Sequence, residues 1–149
     1  MQKFTACLWF DNQAEEAAKF YVSVFPNSEI RSINPMSATI VANGIEILMF
    51  NGGPHFKFTP GISLFVKCKD QAEVDLYWNK FLAGGGREDN CGWLQDKFGV
   101  SWQIVPPLLI ELISDPDKAK ADRVMQAMLK MKKIVIADFL AGFADAGFD

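Results

Sequence analysis

Histidine is nearly absent from this 149-residue chain: His55 is the only one, and the cysteines are just three, Cys7, Cys68 and Cys91. They are odd in number, scattered and without C-x-x-C spacing, which excludes a zinc cluster or a disulfide framework and suits reduced thiols in a cytoplasm. Basic residues are short too. Fifteen Lys and Arg against eighteen Asp and Glu give a net charge of -3, so no surplus is left to neutralise phosphates and a nucleic-acid partner is not expected. Long apolar runs are missing, as is a charged-then-apolar leader, so no membrane partner is expected. A G-x-G-x-x-G turn is missing as well: Gly84 to Gly86 follow a helical pattern rather than a strand, which removes the usual dinucleotide fingerprint.

What is present is globular: half the residues are apolar and 22% are charged, enough in a chain of this length to bury one core. A single domain over 1–149 is expected, and within it a pattern repeats. Residues 3–51 form the first module. Thr5 to Phe10 is an apolar β-prone run, and Asn12 with Glu15 three residues on is a capping-box pattern. Ala14, Ala17, Ala18, Tyr21 and Phe25 then recur at helical spacing until Pro26. Ser28 to Ile33, Ala38 to Ala42 and Ile45 to Phe50 read as strands, the last two joined by Asn43-Gly44, a strong hairpin signal. A Gly/Pro-rich link, 52–60, follows.

The second module, 61–106, restates the first. Ile62 to Cys68 is a strand, Asp70 and Glu73 make a second capping box, and Val74, Tyr77, Trp78, Phe81 and Leu82 make a second helical stripe. Gln-Ala-Glu stands at the same place in both modules, at Gln13 and at Gln71. The module closes on a hairpin around Asp96-Lys97-Phe98-Gly99, where Asp can cap and Gly tolerates positive φ. In its last strand Trp102 and Ile104 face one way, and Ser101, Gln103 and Val105 the other. The order β-α-β-β-β, twice over, predicts an α+β fold and excludes an alternating parallel sheet or a helical bundle.

Beyond Pro106-Pro107 the pattern turns helical over 114–147. A start is read at Ser114-Asp115-Pro116. Ala121, Val124, Met125, Met128 and Leu129 form one apolar stripe, and a second helix from Ile134 to Gly147 carries Ile136, Ala137, Leu140 and Phe143. A stripe of that kind is ordinarily core, and a tail this apolar needs a surface to cover it. Packing across a two-fold interface is the expectation, with folding back on its own subunit as the alternative.

The doubled unit resembles the vicinal-oxygen-chelate superfamily of glyoxalase I, extradiol dioxygenases, and bleomycin and fosfomycin resistance proteins. Within it, several stretches resemble the PhnB-like family labelled 3-demethylubiquinone-9 3-methyltransferase: Cys7-Leu8-Trp9-Phe10-Asp11, Phe25-Pro26-Asn27-Ser28, Asn51-Gly52-Gly53-Pro54, Cys91-Gly92-Trp93-Leu94 and Ser101-Trp102-Gln103-Ile104-Val105-Pro106. The resemblance implies two modules of the glyoxalase/bleomycin-resistance type forming a curved mixed-sheet cleft, a homodimer, and a small-molecule ligand. It also places the superfamily's metal-ligand positions at Thr5 or Ala6, near Ile47 with Glu46 on the opposite face, at Ile62 or Ser63, and at Gln103.

Those residue types make a poor cage for a divalent cation, so neither a metal nor another cofactor is expected. What remains is a polar and aromatic pocket: Thr5, Cys7, Trp9, Asn51, Ser63, Trp93, Trp102 and Gln103 are its candidates, with Trp102 placed alternatively behind the sheet. Cys7 and Cys91 lack a basic neighbour in sequence to activate them as nucleophiles. The expected function is that of a small-molecule-binding protein, the ligand aromatic or quinone-like. The alternative is an enzyme, either the quinone-ring methyltransferase of the family label or a glyoxalase/dioxygenase-like activity.

Overall fold

The computed structural model describes residues 2–144, and the chain divides into two compact units, Met1–Thr59 and Pro60–Asp149. In the first, β1 (Ala6–Phe10) leads into α1 (Ala14–Val24), followed by β2 (Ser28–Ile33), β3 (Ser37–Ala42) and β4 (Ile45–Asn51). The strands form one mixed sheet in the order β1-β4-β3-β2, with β1 parallel to β4 and the other pairs antiparallel. Alternation along β1 sends Leu8 and Phe10 inward. Together with Ala38, Ile40 and Met49 they form the buried sheet side against Ala14, Ala17, Ala18, Tyr21 and Val24 of α1. Asn43 and Gly44 turn the β3–β4 hairpin at φ 51° and 80°, the double positive φ of a type I′ turn that Asn-Gly favours.

The second unit repeats the plan: β5 (Ser63–Lys67), α2 (Gln71–Ala83), β6 (Arg87–Glu88), β7 (Trp93–Gln95) and β8 (Ser101–Val105). The sheet order is β5-β8-β7-β6, again with one parallel pair, β5 with β8. Trp102 and Ile104 turn toward α2, where the Trp102 ring lies 4.8 Å from Phe81, and Leu94, Val74, Tyr77 and Trp78 complete a buried layer. The doubled β-α-β-β-β order read from the sequence is therefore the fold.

The two capping boxes part ways. At α2 the second forms: Asp70 Oδ1 accepts from Glu73 N at 2.9 Å, and Glu73 Oε1 accepts in turn from Lys69 N at 3.1 Å. At α1 the predicted box is absent. Gln13 is the N-cap without a side-chain bond, Asn12 sits at φ 61°, and the orphan amide of Ala14 is taken instead by Asn51 Oδ1 at 2.9 Å. A cap from the end of β4 replaces the local one, because β4 lies beside β1 and delivers its last side chain to the helix start. The first-turn donors of a helix need a partner but not a sequence-local one.

The C-terminal segment packs part of its apolar surface within its own unit. Pro107–Ile113 is a helix, α3, followed by α4 (Lys118–Leu129) and α5 (Ile136–Ala144). The start read at Ser114 is the C-cap of α3, whereas Asp117 caps α4 by accepting from Ala119 N and Lys120 N. The predicted helix end at 145–147 lies outside the described residues. All three helices close a core within their own unit, made of Val105, Leu109, Val124, Met131, Ile134 and Phe139. Cys91 N and Gly92 N donate to Met131 O and Lys132 O, both at 2.8 Å. A Cβ on Gly92 would come within 2.9 Å of Ile134 Cγ1, so only glycine lets the chain approach this closely. Gln71 grips the segment with both ends of its amide, Nε2 donating to Ile134 O at 2.9 Å and Oε1 accepting from Ile136 N at 2.7 Å. Lys133 adds an ion pair to Asp75 at 2.8 Å, which holds the Asp75 carboxyl below its ordinary range, with the Gln71 hydrogen bond assisting. Docking inside the unit rotates the stripes: Val124 and Phe139 are buried, whereas Met125, Leu129 and Leu140 point outward. No helix among the described residues is long and apolar enough to cross a membrane.

Candidate functional site

In the first unit, strand parity decides which candidates share a face. Cys7 and Trp9 alternate with the buried Leu8 and Phe10, so they lie on the side away from α1; Cys7 is exposed and Trp9 half-buried. Thr5, just before β1, donates to Glu46 Oε1 at 3.5 Å. Trp9 is held by the link. Its Nε1 donates to Gly53 O at 2.9 Å, Phe50 and Phe56 meet it edge-on at 5.3 and 4.9 Å, and a Cβ on Gly52 would fall 2.3 Å from its ring. Asn51 falls outside this group. Its carbonyl caps α1 and its Nδ2 donates to Pro35 O at 3.2 Å, so the amide serves the fold.

In the second unit, Trp102 belongs behind the sheet, the alternative placement read from the sequence. It is buried against Phe81, and its Nε1 donates to Asp96 Oδ2 at 3.0 Å. Asp96 is itself buried and accepts from Phe98 N and Val100 N through Oδ1; a buried carboxylate is tolerable only with donors around it. The other parity gathers Ser63, Phe65 and Lys67 of β5, Arg87 of β6, Trp93 and Gln95 of β7, and Ser101 and Gln103 of β8 on the face away from α2. Gln103 Nε2 donates to Ser63 Oγ at 2.9 Å, joining two candidates directly. Gln103 is flanked in register by Phe65 on one side and Trp93 on the other. One pair further along, Ser101 Oγ is buried and has no hydrogen-bond partner, a rare condition for a hydroxyl.

At the Lys67 end this face meets α3. A cavity of about 630 Å³ opens there, lined by Phe65, Lys67, Pro107, Ile110, Glu111 and Ser114. That volume lies inside the range of small-molecule pockets, and its walls are mostly hydrocarbon. Phe65 belongs to both places, as a wall of the cavity and as the ladder partner of Gln103. The sequence reading stopped its second module at Pro106 and so missed Ile110 and Glu111. The available signal was Pro107 itself, since proline at the first helical position starts a helix as readily as Pro-Pro ends one. A second hollow in the first unit, about 310 Å³ around Pro26 to Glu29, Val41 and Gly44, has a polar surface lining.

A divalent metal, which the superfamily resemblance implies, does not fit these residues. The second-unit positions hold a hydroxyl and an amide already bonded to each other, and the first-unit positions hold Thr5, Ala6 and Ile47, with Glu46 the one charged group. No three His, Cys, Asp or Glu gather among the described residues. An S-adenosylmethionine site of the Rossmann type does not fit either: each sheet has a single parallel pair, and the β1–α1 turn, Asp11-Asn12-Gln13, has no glycine. Of the cysteines, Cys68 is buried, which pushes its thiol up to about 12, with Glu73 adding to the effect; it is no nucleophile.

The family model described as 3-demethylubiquinone-9 3-methyltransferase matches residues 2–105. Among solved structures, a PhnB protein from Bacillus cereus that carries the same description is 36% identical, with a TM-score of 0.63; the match spans 68% of this chain and 97% of that one. A glyoxalase/bleomycin resistance protein from Albidiferax ferrireducens is similar in fold at 18% identity and TM-score 0.51, spanning 66% and 93% of the two chains. A fosfomycin resistance protein, FosX, from Listeria monocytogenes, solved with Mn(II) and sulfate, is similar at 15% identity and TM-score 0.52, spanning 68% and 86%. No curated protein sequence matches the chain.

Proposed function

This chain belongs to the 3-demethylubiquinone-9 3-methyltransferase family, and from that premise we propose that it is a small-molecule-binding protein. The ligand is held on the second sheet's face away from α2, without a metal ion. The carrying observation is the cavity of about 630 Å³ whose wall residue Phe65 is the ladder partner of Gln103, itself bonded to Ser63: apolar walls near a few polar groups are what small organic ligands select. Methyl transfer, which the family description names, has less support, since neither sheet offers the turn that would seat its usual cofactor. The reading includes assembly as a homodimer, supported by the exposed Met125, Leu129 and Leu140 on α4 and α5 and measured by light scattering of the full chain.

A thermal-shift screen tests the function. A panel of uncharged aromatics and quinol analogues is run against S-adenosylmethionine, bleomycin, Mn(II) and Zn(II). A ligand at a hundred times its dissociation constant stabilises by about 2.7 kcal/mol, a shift of roughly 5–10 °C in a chain of this size. Stabilisation by one or more organic probes is expected; stabilisation by S-adenosylmethionine or by a metal alone overturns the proposal.

A further inference from the structure

The family match ends at residue 105, and α3 begins at Pro107. One whole wall of the cavity, Pro107, Ile110, Glu111 and Ser114, is therefore built by residues outside the matched region. The family's own modules supply only the floor, Phe65 and Lys67. What the cavity accepts is set by this chain's own tail, and its chemistry can be read.

Gln103 has its amide nitrogen committed to Ser63 Oγ, so two polar functions remain. Gln103 Oε1 has no donor among the described residues and is free to accept. Ser63 Oγ already accepts from Gln103, so its own hydrogen is free to donate. Ser101, in register with Ser63, brings a second hydroxyl, 1% exposed and unpartnered. The polar end of the face thus offers an acceptor, Gln103 Oε1, beside a hydroxyl donor, Ser63 Oγ, with the buried Ser101 next in register and no charge in register with any of them but Arg87, beyond Gln95 at the sheet edge. In the cavity itself Lys67 and Glu111 carry opposite charges, so its lining has no net charge. A carboxylate or phosphate has only acceptors, sets like dipoles against Gln103 Oε1 and loses its hydration with no counter-charge in register with Gln103 or next to Ser63, Arg87 lying two strands beyond Ser101. A hydroxyl or a carboxamide has both functions and satisfies both partners.

Resting on the small-molecule reading above, we propose that the ligand is an uncharged molecule whose hydroxyl or carboxamide edge binds Gln103 and Ser63 while its apolar body, the size of a fused ring system, lies beneath α3 against Phe65 and Ile110.

The test is isothermal titration of the full-length protein with four probes that share one body: naphthol, naphthalene carboxamide, naphthoate and naphthalene. Naphthol and the carboxamide are expected to bind about tenfold or more tightly than naphthoate, the range one satisfied pair of neutral hydrogen bonds provides. Gln103→Leu is expected to bring naphthol down to the affinity of naphthalene. Ile110→Asp, at a position already half exposed and so tolerated by the fold, is expected to weaken all four by a similar factor; unchanged melting temperatures of both variants show that the losses are local. Naphthoate binding as tightly as naphthol, or Gln103→Leu leaving naphthol unaffected, overturns the ligand class while the small-molecule reading stands. Ile110→Asp without effect removes α3 from the site. Failure of all four probes to bind the wild-type protein overturns the class and the small-molecule reading together.

Discussion

Replacing Asp96 by Asn isolates a single oxygen. The native carboxylate is 4% exposed; Oδ1 accepts from Phe98 N at 2.9 Å and Val100 N at 3.0 Å, and Oδ2 from Trp102 Nε1 at 3.0 Å. Asparagine keeps an oxygen for the two backbone amides and turns an NH₂ toward the indole N–H, setting donor against donor. One hydrogen bond to a charged acceptor, worth about 1.5–3 kcal/mol, is lost and the Trp102 donor is left buried without a partner. The expected cost is about 2–3 kcal/mol. Asp96→Ala removes the backbone bonds as well and is expected to cost about 3–5 kcal/mol, a large share of the roughly 5–15 kcal/mol that holds a domain together. Urea unfolding followed by circular dichroism reads both as midpoint shifts at constant slope. In a Trp102→Phe background, which has no indole donor to orphan, Asp96→Asn should cost at least about 1 kcal/mol less. A midpoint for Asp96→Asn within about 0.5 kcal/mol of wild type, or a cost that ignores the residue at 102, refutes the reasoning.

Gln71→Ala removes both bonds to the tail backbone; hydrogen exchange of residues 131–144 should accelerate ahead of the sheet amides, and an unchanged tail would show that the grip is idle. Gly52→Ala drives a methyl to within 2.3 Å of the Trp9 ring and should cost about 1–3 kcal/mol, read as a melting-point loss with a changed indole emission. Cys68, 0% exposed and with its thiol pushed up to about 12, should stay unlabelled by a thiol reagent at pH 8 until the protein unfolds, while the exposed Cys7 reacts at once. The unfolded thiol ionises near pH 8.5 and the folded one does not, so stability is intact below that value and falls as pH rises from about 9 toward 12. Cys68→Ala should flatten that decline, and an equal decline in the variant would remove Cys68 as its source.

The parts of the fold written in local pattern were legible in the sequence. Alternation placed Trp102 and Gln103 on opposite faces, Asn43-Gly44 named its turn, and Asp70 with Glu73 named its cap. What depended on distant partners was not. Asn12 and Glu15 spell the same box as Asp70 and Glu73, yet Asn51, 37 residues beyond the Ala14 amide it accepts from, does the capping. The two Gln-Ala-Glu triplets look alike, but Gln13 is a bare N-cap while Gln71 clasps a segment more than sixty residues on. Because that clasp lies on the surface side of a helix, nothing in the periodicity of 71–83 announces it. For the same reason the tail's packing was open between its own subunit and a neighbour: its apolar stripes were visible, and the surface within its own unit that covers Val124 and Phe139 was not. Half of the candidate site, the α3 wall, was hidden behind a Pro-Pro pair that reads equally as an end and as a beginning.

The claim that a small organic molecule lies on the second sheet's face away from α2 is tested most directly by titrating naphthol into nitrogen-labelled full-length protein and mapping the amide shifts. Saturable shifts centred on Ser63 to Lys67, Trp93, Ser101 to Gln103 and Ile110 are expected. Shifts centred on the polar hollow at Pro26 to Glu29 and Gly44, or no saturable shift in the second unit, would contradict it.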